Sequence, residues 1–535
     1  MGRWGDISKL LNSERLFVFG LLVAAVVLYT SGIANLPLRD WDEGIVAGVA
    51  RNIWRGSPGS HTWLYPTINF GDPYWNKPPL IHWLIALAYR LFGISEWSTR
   101  VVPATLSALA VPLLYLIGRE IFPSCSTAVF SALVYLTLLP VARHSRIAML
   151  DGAIACWFCL AVWCLLRGRK HRPWLLGAGL AIGLVCLTKG IMMGVLLGAI
   201  SLIFVAWDSP KLLQSLYLWS GFIFGVIPAL AWYGLQYLQY GAEFLGTSLG
   251  TQTFNRIWEP VSNVSSPPWY YLMEIAKYSL PWLIFLPYGF KLAWQNRYVS
   301  WGKLTLVWTS IYLLAISLMA TKLPWYVIPI YPGLSLLIGA SLSKAWSKNQ
   351  ADYFQKVSLS LVAIACGIGS AYYGWVNTAP ETDLSLILIV VTVCFTLASA
   401  MVWLGDRHFI SVIITGFYLA LLLLFNSNHW LWELNEAFPV KPLAQMLKQY
   451  TPPQQNIYTA YHNLRPSLEF YSDRVVIPVP DEQLKQYWQQ DEAIYLLVDD
   501  AAIDRLNLKP HQKVGNNLAN LAWQLITQAD TALPN

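Results

Sequence analysis

From Leu16 onward the chain returns repeatedly to stretches of about fifteen to twenty-five residues with almost no charge, and this leaves it few ways to fold. In a bilayer such stretches must satisfy every backbone polar group internally, which makes them helices. With 56% hydrophobic and only 12% charged residues among 535, the composition is that of an integral membrane protein. The 27 Trp and 28 Tyr suit interfacial belts and would also suit a sugar-binding surface. The net charge of +7 lies mainly in short loops between apolar runs, so it asks for no nucleic-acid partner.

The seven cysteines all lie in or beside apolar segments, and their odd count argues against a disulfide framework. Cys156 and Cys159 have zinc-like spacing but no second ligand pair, so small apolar packing residues are the simpler reading. At the N-terminus Arg3, Lys9 and Arg15 precede the apolar run Leu16 to Ile33, which reads as an uncleaved signal anchor with a cytoplasmic N-terminus.

Charge decides how the runs thread the membrane. The run from Pro78 to Phe92 would rise only about 22 Å as a helix, against a hydrocarbon core of about 30 Å. If it crossed, the 167–172 basic cluster would face outside, against the positive-inside rule. Laid in the outer interface instead, it leaves about thirteen spans, among them 126–142 and 270–290. Arg119, the 167–172 cluster, Lys211, Lys291, Lys303, Lys344, Lys348 and Arg407 then all fall on the cytoplasmic side. The expected fold is a polytopic α-helical membrane protein. A transmembrane domain of 1–427 carries a first outer loop of about 37–100 with interfacial helices. A small extracytoplasmic α/β domain follows at 428–535, with strands expected near 456–459, 474–477 and 493–498.

This threading places five motifs on the outer face: Asp40-Trp41-Asp42-Glu43, Asn76-Lys77-Pro78-Pro79, Arg146 to Asp151, Thr188-Lys189-Gly190 and Lys322-Leu323-Pro324-Trp325-Tyr326. Charges at a helix mouth are costly unless they have a role. Asp42 and Glu43 open an amphipathic helix; Asp40 or Asp42 would cap it, or a carboxylate there would act as a general base. Lys77 before two prolines sits on rigid backbone as a point charge suited to phosphate, although a snorkelling lysine gives the same pattern. Arg146 and Asp151 are spaced to pair with each other, and Asp151 faces into an apolar span. Lys189 stands between two apolar helices, and Lys322 and Tyr326 bring a cation and a hydroxyl to another helix mouth. No P-loop, dinucleotide turn, Ser-His-Asp order or zincin motif is present.

At these residues the chain resembles the GT-C superfamily of polyprenyl-phosphate-sugar-dependent glycosyltransferases. It is most similar to the bacterial lipid A aminoarabinose transferases and the protein O-mannosyltransferases, over about 15–345 and more loosely over the outer domain. The resemblance implies Asp42 as catalytic carboxylate, with Glu43 beside it and Asp151 as the second-loop acid. It implies Lys77, Arg146, Lys189, Lys322 and Tyr326 around the donor phosphate. It departs at Asn76, where the aminoarabinose transferases often have a metal-binding Glu, and no His in 239–269 supplies a second ligand. No metal site and no organic cofactor are therefore assigned, and a divalent cation has no support in the sequence.

The implied reaction moves one sugar from an undecaprenyl- or dolichyl-type monophosphate to an extracytoplasmic acceptor, with inversion at the anomeric carbon. Two other functions use a similar chain: a transporter of lipid-linked sugars, and an oligosaccharide ligase with a diphosphate-linked donor. A transporter would place its polar groups near the bilayer midplane in paired halves, and this chain gathers them at one surface.

Overall fold

The apolar runs become helices, two of them interrupted next to proline. The computed structural model describes residues 2–40, 42–57, 59–69, 71–261, 266–349, 351–376, 382–431, 439–453, 455–460, 464–490, 494–508, 512–514 and 523–527. Among the described residues nine helices are long and apolar enough to cross a membrane: Glu96–Ile121, Asp151–Gly168, Ile191–Asp208, Leu216–Tyr240, Ser300–Leu318, Pro324–Lys348, Tyr353–Gly374, Thr382–Trp403 and Phe409–Asn426. Shorter apolar helices are Leu80–Phe92, Cys125–Thr137 and Trp174–Lys189, and the chain opens on Gly2–Thr30.

The expected span at 270–290 is not one helix. It divides into Tyr270–Tyr278, a 3-10 turn at Trp282–Phe285, and Leu286–Gln295. Pro281 and Pro287 each lack an N–H and crowd the preceding turn. The span expected at 126–142 likewise stops at Thr137 and resumes as Leu139–His144 after an extended Leu138. Leu80–Phe92 has thirteen residues, about 20 Å of rise. It buries Ile81, Ile85, Ala88 and Tyr89 while exposing Leu87, Leu91 and Phe92, the two-sidedness of an interfacial helix.

The residues group into two compact units. The first comprises 1–35, 75–81 and 100–430, the second 36–74, 82–99 and 431–535. The last change of unit falls between Trp430 and Leu431. Of the first outer loop, 37–74 and 82–99 group with 431–535, while 75–81 and Arg100 belong to the first unit.

In the first unit, Trp174–Lys189 and Leu216–Tyr240 meet backbone to backbone. Gly179 and Gly183 on one helix face Gly221 and Gly225 on the other, and a Cβ on Gly183 would lie 1.7 Å from the Gly225 carbonyl oxygen. Two small residues four apart on each helix permit this approach, and dispersion across the contact replaces the hydrophobic drive that lipid does not supply. The same unit buries Arg100, Arg143 and Arg146 almost completely. They donate to carbonyl oxygens of Ile33, Trp430, Leu28 and Phe425; Arg100 lies over the Trp430 ring, and Arg146 over those of Phe425 and Trp430. Arg146 thus ties the last turns of Gly2–Thr30 and Phe409–Asn426, whose carbonyls have no helical partner of their own.

The second unit carries two short strands, β1 (Thr67–Ile68) and β2 (Asp72–Pro73), and a five-stranded sheet. The sheet is built from β3 (Asn456–Thr459), β4 (Val475–Pro478), β5 (Tyr495–Asp499), β6 (Gln512–Val514) and β7 (Trp523–Thr527), in the order β4-β3-β5-β7-β6. β3 runs parallel to β4 and β5, and β7 is antiparallel to β5 and β6. Side chains alternate across a strand. Leu497 and Leu525 therefore join Leu443, Leu447 and Leu468 in one core, while Leu496, Val498 and Ile526 join Leu484, Trp488 and Ile503 in the other. Burial on both faces explains why β5 reads as a continuous apolar run.

Candidate active site

The first unit contains a cavity of about 310 Å³ with two chemically distinct ends. Met192, Met193, Leu196, Ile316 and Leu318 wall one part, while Lys77, Lys189, Gln252, Arg256 and Tyr326 line the other.

Each polar group is held there by a local cause. Lys77 stands in a non-helical stretch fixed by buried Pro78 and Pro79, ahead of Leu80–Phe92. Lys189 is the last residue of Trp174–Lys189, where the helix dipole favours a cation. The chain then turns through Gly190, whose φ of 115° few side-chain-bearing residues adopt, directly into Ile191–Asp208. Asp151 is the first residue of Asp151–Gly168, where the dipole favours an anion. Its Oδ1 accepts from Lys189 Nζ in a nearly buried ion pair. Lys189 Nζ also lies 4.9 Å from the centre of the Tyr326 ring. Tyr326 sits in the 3-10 turn Pro324–Ile330, and its carbonyl accepts from Tyr312 Oη at 3.0 Å.

Arg256 completes the group. It lies in Asn255–Trp258, after the π-helical stretch Gly246–Phe254. Ala320 N donates to Ile257 O and Thr321 N to Arg256 O, which pins this segment to the 319–323 loop. Arg256 donates through Nη1 to Tyr326 Oη at 2.8 Å and through Nη2 to Gln252 Oε1 at 2.6 Å. Its Nε is buried without a partner among the described residues. Sequence reasoning passed over Arg256 and Gln252, although a signal existed. Arg256 is the one basic residue between Lys211 and Lys277, in a loop assigned to the outer face where the positive-inside rule disfavours it.

The other expected residues are placed differently. Arg146 does not pair with Asp151: the carboxylate is taken by Lys189, and the turn after His144 sends the guanidinium to the carbonyls of Leu28 and Phe425. Lys322 donates to Met319 O at 2.6 Å and lies outside the residues lining the cavity. Burial shifts its pKa down.

Asp40, Asp42 and Glu43 belong to the second unit, and Trp41 lies outside the described residues. Asp40 is buried, accepting from Arg465 Nη1 at 2.7 Å, Ser467 N at 3.1 Å and Ser467 Oγ. Glu43 is fully buried and accepts from Arg39 N at 3.0 Å, closing the turn that begins Asp42–Arg55. Asp42, in the first turn of that helix, is only half-buried. The helix packs on Pro466–Ser472, and a Cβ on Gly44 would lie 2.5 Å from Ser467 N. Arg51 donates to Phe470 O, and Arg55 pairs with Asp473 at 2.7 Å.

The residues at the polar end of the cavity do not suit a divalent cation. Asn76 Oδ1 accepts from Gln252 Nε2 at 3.4 Å, so its oxygen is already engaged, and the neighbouring charges are the cations Lys77 and Arg256. Among the described residues no three His, Cys, Asp or Glu side chains stand together. The set suits an anion: three cations and a phenol at one end of an apolar trough.

Comparison with known proteins agrees with this chemistry. The family model described as dolichyl-phosphate-mannose-protein mannosyltransferase matches residues 76–233. An undecaprenyl phosphate-alpha-4-amino-4-deoxy-L-arabinose arabinosyl transferase of Pseudomonas fluorescens is 30% identical over 384 residues, 70% of this chain and 68% of that protein. The chain belongs to this family. It is a family of membrane glycosyltransferases that use polyprenyl-phosphate-linked sugars. Its Pseudomonas aeruginosa member is 29% identical over 328 residues, 60% of this chain and 59% of that protein. ArnT from Cupriavidus metallidurans, solved bound to undecaprenyl phosphate, shares the fold at a TM-score of 0.76 with 19% identity, covering 96% of this chain and 98% of that one.

Proposed function

We propose that this chain transfers a single pentose-type sugar from a polyprenyl monophosphate, of the undecaprenyl or dolichyl type, to an acceptor on the extracytoplasmic side of the membrane. The observation that carries the reading is the cavity in which Lys77, Lys189, Arg256 and Tyr326 face one another at the end of an apolar trough. A phosphate on an apolar chain matches both ends at once. The donor residues are Lys77, Arg256 and Tyr326, with Lys189 held by Asp151. Arg146 and Lys322 take supporting structural roles.

The acceptor oxygen attacks the anomeric carbon from the face opposite phosphate. The bond from that carbon to the phosphate oxygen breaks, and the polyprenyl phosphate leaves with the electron pair. Lys77 and Arg256 stabilise the charge that develops there. Asp42 takes the acceptor's proton. Asp40 is buried against Arg465 and Ser467, and Glu43 against Arg39 N; half-buried Asp42 is the carboxylate that the family resemblance makes the base. An acceptor that is itself a phosphate arrives ionised, and Asp42 then orients it. The relatives are named for 4-amino-4-deoxy-L-arabinose, which makes that sugar the first to test. No organic cofactor takes part. The basic cytoplasmic loops set the orientation, with the N-terminus inside.

The test compares wild type with Asp42→Asn and Lys77→Met at equal membrane abundance, by mass spectrometry of envelope lipids, glycoproteins and polyprenyl-phosphate sugars. Loss of one pentose-sized increment with accumulation of its polyprenyl-linked donor establishes the reaction and names the acceptor. A hexose-sized increment corrects the sugar. Unchanged profiles in both variants, beside a clear defect on deletion, refute the reading.

A further inference from the structure

One side chain in the cavity has a place that the transfer chemistry has not used. Gln252 is uncharged, yet its amide is the hub of the polar end. Its oxygen accepts from Arg256 Nη2 at 2.6 Å and from Lys77 Nζ at 3.4 Å. Its nitrogen donates to Asn76 Oδ1 at 3.4 Å. One neutral oxygen therefore sits between two cations that come from segments some 175 residues apart in sequence. Two like charges brought to one point repel unless something lies between them. A carboxylate would neutralise them and close the site to an anion, whereas an aliphatic side chain would leave them apart. The amide does neither.

We propose that Gln252 is a positioning residue for donor binding, which gathers Lys77 and Arg256 on its oxygen and cedes that place to an oxygen of the donor phosphate. This rests on the polyprenyl-phosphate reading of the same cavity. Asn76 anchors the other end of the amide, so the oxygen rather than the nitrogen faces the cations. The π-helical stretch Gly246–Phe254 that carries Gln252 supports the same role: such wide turns shift side chains out of the ordinary helical register and recur at functional sites.

The experiment measures binding of undecaprenyl monophosphate, together with thermal stability, in full-length protein reconstituted into nanodiscs. The variants are Gln252→Glu, Gln252→Leu, Lys77→Met and Arg256→Met. Gln252→Glu keeps the shape and replaces neutral hydrogen bonds with charge-assisted ones. It raises the melting temperature, while its carboxylate competes with phosphate and weakens probe binding about 10- to 100-fold. Gln252→Leu lowers the melting temperature and weakens binding only about two- to fivefold. A residue that merely held the fold would move stability and binding together, so the opposite signs in Gln252→Glu are the signature. Wild-type affinity in Gln252→Glu, with binding lost in Lys77→Met and Arg256→Met, overturns the role of Gln252 and leaves the donor site standing. Wild-type affinity in the Lys77 and Arg256 variants overturns the donor site itself.

Discussion

Breaking the Asp151–Lys189 pair destabilises the first unit far more than replacing it. The two side chains are only 4% and 10% exposed. At contact distance and an effective dielectric of about 20 their attraction is roughly 4 kcal/mol or more, and each gains a few tenths from the helix end it occupies. Asp151→Asn removes the anion and leaves a buried ammonium, for which about 3–5 kcal/mol is the usual cost. The lower end applies here, because the Tyr326 ring still faces Lys189 and offers up to about 2 kcal/mol when dry. The double variant Asp151→Leu/Lys189→Met buries no charge and falls well short of the sum of the two single losses. Unfolding by SDS in mixed micelles, followed by tryptophan fluorescence, gives the three free energies. Asp151→Asn within about 1 kcal/mol of wild type, or a double variant as costly as the singles added, refutes the reasoning.

Other outcomes follow from the same geometry. Gly183→Ala forces apart two helices in backbone contact and costs about 1–3 kcal/mol or more in the same unfolding assay. Gly198→Ala, whose Cβ would meet nothing within 4 Å, gains up to about 1 kcal/mol instead. Burial raises the Glu469 carboxyl from 4.5 to about 7, more than its bond from Val476 N and the nearby Arg51 lower it, with Asp72 and Asp40 raising it further. The folded state therefore holds the proton more tightly, and this contribution is complete below pH 4.5 and lost as pH rises through about 7. Glu469→Gln should match wild-type stability at pH 4 and exceed it increasingly up to pH 7 by about 3 kcal/mol, then plateau; a constant difference across this window counts against it. Arg256→Lys keeps the charge but cannot reach Gln252 and Tyr326 at once, so the donor KM rises about tenfold or more in a transfer assay. Chelation leaves undecaprenyl monophosphate binding unchanged, because the cavity's polar end offers amides and cations rather than metal ligands.

The charges that stood out in sequence did so because lipid makes them expensive. Lys77, Lys189, Tyr326 and Asp151 each mark the mouth of an apolar run, and the structure gathers them around one cavity or directly behind it. Arg256 and Gln252 lie in a polar loop with no periodicity to interrupt, so nothing local set them apart except one arginine on the disfavoured side. Arg146 and Asp151 invited pairing by proximity, but the partners that won lie 118 and 279 residues from Arg146 and 38 from Asp151. The interfacial helix and the first three strands of the α/β sheet were legible from length and alternation. The break in the 270–290 run was signalled by Pro281 and Pro287, which hydropathy alone overlooks. The grouping of the first outer loop with the C-terminal domain rests on contacts such as Asp40 with Arg465, 425 residues apart, which no local pattern encodes.

That grouping has a consequence for how the protein is made. The helix that begins at Asp42 leaves the ribosome early, but Arg465, Ser467 and Asp473, which hold its two ends, come some 420 residues later. At about 5–20 residues per second this is a wait of roughly 20–80 s. Through that interval Asp40 and Arg51 lack the partners that neutralise them, and Gly44 has no surface to pack on. A nascent chain or a truncated product ending before 464 contains all eight residues first read as the site, yet the segment carrying Asp42 has nothing to dock against. With Asp42 as the proposed base, synthesis of the last domain sets the moment at which transfer can begin, and premature termination is expected to yield an inert membrane protein rather than an unregulated one.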